Sequence, residues 1–276
     1  MTSVTGRPCA PYCVMAHHRS GSNFLNDVLQ AHARIECLNE PLSMHTDYFR
    51  HCDLEQWTRE DFEPALLHES LAQRPLLHSF LIDFRAYLLQ SNDLRVIGFK
   101  ETVLFGKLDW LKAFLPTLKV LLLKRDPCAV VASVLRSNLL SFWDYAHLVP
   151  PAFKALHPDY VATKAPADPS VQAAEIAAMS VAVREDMARR SIGLFEHLEI
   201  DLLDVMNEPA SALDSITAFL GVEPDARQLE FVMRRQAETR GGTYSSFRSR
   251  DDVENGWRRH LGADQVRVIQ EVLQCA

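Results

Sequence analysis

The residues best suited to chemistry stand near the start of the chain, in Tyr12-Cys13-Val14-Met15-Ala16-His17-His18-Arg19-Ser20-Gly21-Ser22-Asn23-Phe24-Leu25. Arg19 carries a permanent positive charge on a fork of donors. Ser20 and Ser22 add hydroxyls, and Gly21 lets the backbone come close to a bound group. An apolar run precedes this basic turn, and Phe24, Leu25, Val28 and Leu29 follow it at helical spacing. The unit reads as strand, tight loop, helix. A helix N-terminus offers unpaired N–H groups and the positive end of the helix dipole, so the chemistry expected is the binding of a phosphate or similar oxyanion. The plainer reading is a helix cap beside a surface arginine. The loop is not a Walker motif, G-x-x-x-x-G-K-[ST]. It holds one glycine, and its basic residue lies two positions before that glycine.

A second set stands in Lys124-Arg125-Asp126-Pro127-Cys128-Ala129-Val130-Val131-Ala132-Ser133. Arg125 follows an apolar, strand-like run. Ser133 lies eight residues further on, about two turns into the next helix. An arginine and a serine so placed can clamp one phosphate, the first by paired N–H groups and the second by its hydroxyl. A surface salt bridge at a helix start is the alternative. A third set, Arg250-Asp251-Asp252-Val253-Glu254-Asn255-Gly256-Trp257, closes a Gly-, Ser- and Arg-rich stretch.

In order and spacing these segments resemble the sulfotransferases that use 3′-phosphoadenosine 5′-phosphosulfate (PAPS). The family's phosphosulfate loop is a Lys or Arg followed by Ser-Gly-Ser or Ser-Gly-Thr, which Arg19 to Ser22 match. His18 stands where the family commonly has proline. The family's 3′-phosphate motif pairs an Arg and a Ser at the spacing of Arg125 and Ser133. Its C-terminal Arg-Lys-Gly reads Arg250-Asp251-Asp252 here, and Asn255-Gly256 before Trp257 reverses the usual Gly-Asp. Glu199-Ile200-Asp201-Leu202 and Phe219-Leu220-Gly221 are similar to further family landmarks, so the likeness spans residues 12 to 261. The resemblance implies PAPS as donor, 3′-phosphoadenosine 5′-phosphate (PAP) as product, and no metal. It places Arg19, Ser20, Gly21, Ser22 and Asn23 at the phosphosulfate and Phe24 at the adenine. Arg125, Ser133 and Arg250 would hold the 3′-phosphate, with Arg248 competing for the last role; Trp257 is counted among the cofactor-binding residues, a core anchor being its plainer reading.

Sulfuryl transfer needs a base for the acceptor proton and cations for the charge on the leaving phosphate. Arg19 suits the second task. Cytosolic relatives take the base from a Lys-Thr-His pattern, which reads Lys100-Glu101-Thr102 here. Other branches use a glutamate soon after the first helix, the place of Glu40 in Asn39-Glu40-Pro41. Glu40 is therefore the first candidate base and Glu101 the second, with Lys100 on the sulfuryl group or acceptor. His17 and His18 are read as local hydrogen-bonding groups. Two other functions share these features: a P-loop-like kinase using ATP and magnesium, which the missing Walker lysine argues against, and a non-catalytic nucleotide-binding relative.

Positioning these residues requires strands alternating with helices. Apolar strand-like runs at 12–16, 35–38, 95–100, 118–124 and 198–203 alternate with helical patterns at 60–73, 75–90, 107–115, 126–143, 171–196, 209–220 and 257–273. The pattern predicts an α/β fold: a P-loop-like parallel sheet flanked by helices, the sulfotransferase fold of the resemblance, as a single domain over 1–276. Five prolines between 148 and 169 mark that stretch as an irregular insert, read as a substrate lid. With 47% hydrophobic residues the chain can build a large core. A net charge of −7 argues against a general nucleic-acid binder. Six cysteines without a C-x-x-C pair read as reduced thiols in a cytoplasmic protein, and no apolar run approaches the length of a membrane span. The expected acceptor is a small molecule, lipid or carbohydrate; homodimer formation is left open.

Overall fold

The computed structural model describes residues 10–43, 57, 59, 61–62, 75–92, 94–137, 139–141, 145–161, 168–238 and 249–276. Its centre is a five-stranded sheet of β1 (Tyr12–Ala16), β2 (Ile35–Asn39), β3 (Val96–Glu101), β4 (Lys119–Lys124) and β5 (Glu196–Asp201). The spatial order is β2-β3-β1-β4-β5, and every pairing is parallel. The strand order reverses about β1. In such sheets the crevice at the carboxyl ends of the strands, near the reversal, is where ligands bind.

Successive residues of a strand face opposite sides, and both sides of this sheet are covered. Tyr12, Val14 and Ala16 pack with Leu121 and Leu123 against α1 (Ser22–Gln30), through Phe24, Leu25, Val28 and Leu29. Cys13 and Met15 pack with Ile97, Phe99, Val120 and Leu122 against α2 (Pro75–Leu88) and α3 (Leu108–Phe114). A third apolar cluster joins α4 (Pro127–Arg136), α5 (Tyr145–Leu156) and α6 (Pro169–Ser191) to the C-terminal helix. Asp126 caps α4 by accepting from the Cys128 and Ala129 N–H groups, with Pro127 at the first helical position.

The parallel α/β architecture stands as expected, with local differences. Residues 145–156 are a helix despite Pro150 and Pro151. Val149 and Phe153 are fully buried, with Leu148, Ala152 and Leu156 packed alongside. This stripe at helical spacing outweighs the lost backbone donors. The strand expected at 198–203 begins two residues earlier and ends at Asp201, whose side chain accepts from the Leu203 N–H and starts α7 (Leu202–Asn207). After α8 (Pro209–Leu220), ended by left-handed Gly221, comes an unforeseen helix, α9 (Ala226–Ala237). Residues 250–254, expected in a loop, form the short helix α10 (Arg250–Glu254), and the final helix is α11 (Ala263–Cys275). The helix expected at 60–73 lies largely outside the described residues. No helix among the described residues is long and apolar enough to cross a membrane.

Gly98 is the tightest point of the sheet. It pairs with Tyr12 across β1 and β3, and a Cβ there would sit 2.3 Å from the tyrosine ring. Tyr12 cannot swing away freely, because its hydroxyl donates to the Glu36 carbonyl. Gly98→Ala is expected to destabilise the protein by about 1–3 kcal/mol or more. Adding Tyr12→Leu should recover part of the loss in urea unfolding, and an additive double mutant would contradict this account.

Candidate active site

The loop between β1 and α1 is held in an unusual shape. Arg19 has φ 68° and Gly21 φ 92°, both left-handed. Glycine takes that conformation without strain; arginine does not. A Cβ on Gly21 would also lie 2.7 Å from Leu202. The loop closes on the His17 carbonyl, which accepts from the Ser20 N–H at 3.2 Å and the Ser20 hydroxyl at 2.7 Å. No side chain at Gly21 caps α1, so the first-turn N–H groups are arranged for an anion.

The second motif meets this loop. Arg19 Nε donates to Ser133 Oγ at 3.1 Å, across 114 residues of sequence. Arg125 donates to the Arg19 carbonyl at 2.9 Å and to the Val253 carbonyl at 3.4 Å, drawing in α10. Two guanidinium groups, a serine and an uncapped helix end thus stand together, a donor set suited to a polyanion.

On the other side of the loop, Lys100 at the end of β3 is buried. Its ammonium donates to Asn23 Oδ1 at 2.8 Å and to Glu40 Oε1 at 2.5 Å. Glu40 has φ 49°, and its N–H donates to the Lys100 carbonyl at 2.8 Å. Among the described residues, Arg19 and Glu40 are the two non-glycine residues with positive φ. Such conformations persist where surroundings over-determine them, and they gather at functional sites.

A family model for the sulfotransferase family matches residues 11–226. The chain belongs to that family. The sulfotransferase fold is shared with the sulfotransferase domain of the Synechococcus PCC 7002 olefin synthase, at 18% identity over 97% of this chain and 95% of that one, TM-score 0.53. It is shared likewise with the sulfotransferase domain from the curacin biosynthetic pathway, at 15% identity over 97% and 98% of the two chains, TM-score 0.51. No curated protein matches significantly in sequence.

Other expected site residues of this sulfotransferase take different places. Phe24, expected at the adenine, is buried with Leu25 and Val28 in the core against β1. The Ser20 hydroxyl is engaged in closing its own loop. Ser22 is buried at the first turn of α1. Glu101, the second candidate base, is fully buried. Its oxygens accept from the Leu42 N–H at 2.6 Å and the Ser43 hydroxyl at 2.7 Å, which ties it to the turn after β2. Arg250 is exposed and lies 3.8 Å from Glu254 on its own helix, while the Val253 carbonyl of that helix reaches Arg125. Trp257 packs partly buried against the α4–α5–α6 cluster with Arg258 over its ring, as an anchor. Arg248 lies outside the described residues. Among those residues no group of side chains could hold a metal ion.

Sequence reasoning missed the buried charges beneath the loop. Asp61, Lys107 and Arg184 are all essentially inaccessible. Asp61 accepts from Arg184 Nε at 2.9 Å and from the Gly106 N–H at 3.0 Å, with Lys107 Nζ at 3.5 Å. Arg184 also donates to Ser180 Oγ at 2.7 Å and reaches His17 Nε2 at 3.3 Å. His17 Nδ1 lies 2.8 Å from the His18 carbonyl, so Nδ1 carries the proton and Nε2 faces Arg184 as acceptor. Burial, then the Arg184 charge, lowers the His17 pKa to about 3. The available signal was Ser180 and Arg184, one helical turn apart on one face and flanking the apolar stretch Val181-Ala182-Val183.

Asp61→Asn leaves two buried cations without their carboxylate and is expected to cost about 3–5 kcal/mol in urea unfolding; a loss under 1 kcal/mol would show the cluster to be incidental. The depressed His17 pKa gives stability that is complete above pH 6.5 and falls as pH drops toward 3, because the unfolded chain takes up the proton first. From pH 6.5 to 5 His17 accounts for about 2 kcal/mol. Unfolding of His17→Gln should show a shallower acid slope than the parent, and equal slopes would refute the assignment.

Proposed function

We propose that this sulfotransferase moves the sulfuryl group of PAPS to a hydroxyl of a small-molecule, lipid or carbohydrate acceptor. The observation that carries the reading is the meeting of Arg19 and Ser133 at 3.1 Å beneath Arg125, at an uncapped helix N-terminus. Two clusters of anion donors from distant segments fit a nucleotide phosphorylated at two separated positions. Arg19 and the N–H groups after it would receive the 5′-phosphosulfate. Arg125 and Ser133 would take the 3′-phosphate, with α10 brought alongside through Val253.

In the step itself, the acceptor oxygen attacks sulfur in line and the bond from sulfur to the bridging phosphate oxygen breaks. Negative charge grows on that oxygen as PAP leaves, and Arg19 neutralises it. Lys100 holds one carboxylate oxygen of Glu40, Oε1, and Glu40 takes the acceptor proton on its other oxygen, Oε2. The loop after β1 and the turn after β2 thus present the leaving-group cation and the base to one reaction centre. The donor site is built from protein cations and backbone N–H groups, and the proposed mechanism routes no step through a metal.

Calorimetric titration with PAP is the direct test. Binding should be tight without magnesium, and Arg125→Ala should weaken it about 10- to 100-fold through loss of charge-assisted hydrogen bonds. Binding of ATP only, and only with magnesium, would favour a kinase instead. With labelled PAPS and a panel of phenols, fatty alcohols and sugars, Glu40→Gln should lower kcat at least about 100-fold with PAP affinity kept. Unchanged turnover would remove Glu40 from the mechanism.

A further inference from the structure

β3 ends in two residues whose side chains must face opposite sides of the sheet, Lys100 and Glu101. Both reach the turn that follows β2. Lys100 holds Glu40 by its carboxylate, and Glu101 holds Leu42 and Ser43 by a backbone N–H and a hydroxyl. The Ser43 N–H donates back to the Glu40 carbonyl at 3.2 Å, and the Glu40 N–H to the Lys100 carbonyl at 2.8 Å. Leu42 is itself buried in the core. The turn is therefore clamped from both faces of the sheet at once. Glu40 sits between the clamps in a left-handed conformation that a glutamate does not adopt by preference.

From this geometry we infer that Glu101 is a positioning residue that acts as a neutral carboxylic acid, locking the 40–43 turn so that the Glu40 carboxylate is held at the reaction centre. The inference rests on the reading of Glu40 as the base. Its chemistry follows from the neighbours. Glu101 is fully buried beside a second carboxylate, Glu40. The other groups that face it are the Lys100 ammonium, the Ser43 hydroxyl, the Leu42 N–H and, from β1, the buried Cys13 thiol. Glu101 has no exposure to screen it from the Glu40 charge, and Lys100 is directly bonded to Glu40, so the two carboxylates do not both ionise cheaply. The proton therefore resides on Glu101. A carboxylic acid there accepts from the Leu42 N–H on Oε1 and, with the Ser43 hydroxyl rotated to accept, donates its own proton to Ser43 Oγ across the same 2.7 Å contact. Burial, and then the Glu40 charge, pushes the Glu101 pKa up to about 8. Above that pH the proton leaves to solvent, a second negative charge appears beside Glu40, and the clamp loosens.

Gln is the right probe, because its amide reproduces both bonds of a neutral acid without titrating. The rate of PAP release from PAPS, with water as acceptor, is to be measured from pH 6 to 9.5 in the parent, Glu101→Gln, Glu101→Leu and Glu40→Gln. The parent rate should fall above about pH 8. Glu101→Gln should recover most of what Glu101→Leu loses at neutral pH, and the fall above pH 8 should vanish in it. Glu101→Leu should lower the rate about 10- to 100-fold, as expected of a misplaced catalytic group, with calorimetric PAP affinity unchanged. Thermal unfolding gives a second readout that needs neither turnover nor a folded leucine variant. A carboxyl whose pKa rises on folding makes stability decline as pH climbs from 4.5 to about 8, and Glu101→Gln should flatten that decline. The inference is overturned if Glu101→Gln falls to the level of Glu40→Gln, which would make Glu101 itself the base. It is equally overturned if the alkaline limb or the pH slope of stability survives in Glu101→Gln. Full activity in Glu40→Gln would instead refute the reading of Glu40 as base, a distinct outcome.

Discussion

The structure depends on keeping two side chains in backbone conformations they would not choose. Arg19 and Glu40 both lie in the left-handed region, each at a cost on the order of 1 kcal/mol or more. Each is held chiefly from other segments. Arg19 is fixed by Ser133 from α4 and, through its carbonyl, by Arg125 from the end of β4. Glu40 is fixed by Lys100 from the end of β3. The strands on either side of β1 thus supply the restraints, one for the cation and one for the carboxylate. Parallel pairing makes this possible, because it brings the carboxyl ends of β1, β3 and β4 to the same edge of the sheet.

Beneath this edge lies a layer of buried charge. Burying an ion costs several kcal/mol, offset only when its partners are well placed. Asp61 meets that condition with a guanidinium, an ammonium and a backbone N–H. Arg184 carries the restraint upward to His17, whose carbonyl receives both the N–H and the hydroxyl of Ser20. The floor of the loop between β1 and α1 is therefore tied to α6, which packs in the cluster with α4. His17 belongs to this scaffold as a neutral ring between a carbonyl and an arginine. Its low pKa follows from that position and does not mark it as an acid–base catalyst.

The sheet and its order of elements were legible because a parallel strand buried on both faces is a short unbroken apolar run, as in Val120-Leu121-Leu122-Leu123. The strand–loop–helix unit at 12–30 and the Arg125–Ser133 pair were legible because their spacing is set by local geometry alone. What the sequence hid depends on distance in the chain. Nothing near Asp61 announces that it faces Arg184, 123 residues away. Prolines at 150 and 151 argued against a helix, yet burial of Val149 and Phe153 against α6 prevailed. Phe24 satisfies an adenine-stacking pattern and a core pattern equally in sequence. The structure packs it in the core beside Leu25. Glu101 was hidden in the same way, since a glutamate at a strand end reads as an exposed carboxylate until Leu42 and Ser43 fold over it.

In the proposed mechanism the two glutamates divide one task. A base must keep its charge, face the acceptor and not drift; a single exposed carboxylate on a turn meets the first need and fails the last. Here the carboxylate is bound by the ammonium that Asn23 also holds, so α1, the turn after β2 and β3 are tied at one nitrogen. The same turn is held from below by a carboxyl with no exposure at all. Were both ionised, their repulsion would work against the turn that holds them; with one neutral, the pair has one negative charge opposite Lys100 and a full set of hydrogen bonds. Adjacent strand positions reach opposite faces, so β3 can place an ammonium on the Glu40 carboxylate and a carboxyl on the Leu42 N–H and Ser43 hydroxyl of the same turn. That geometry lets a five-residue segment, Asn39 to Ser43, present a carboxylate from an edge strand with the rigidity of the sheet behind it.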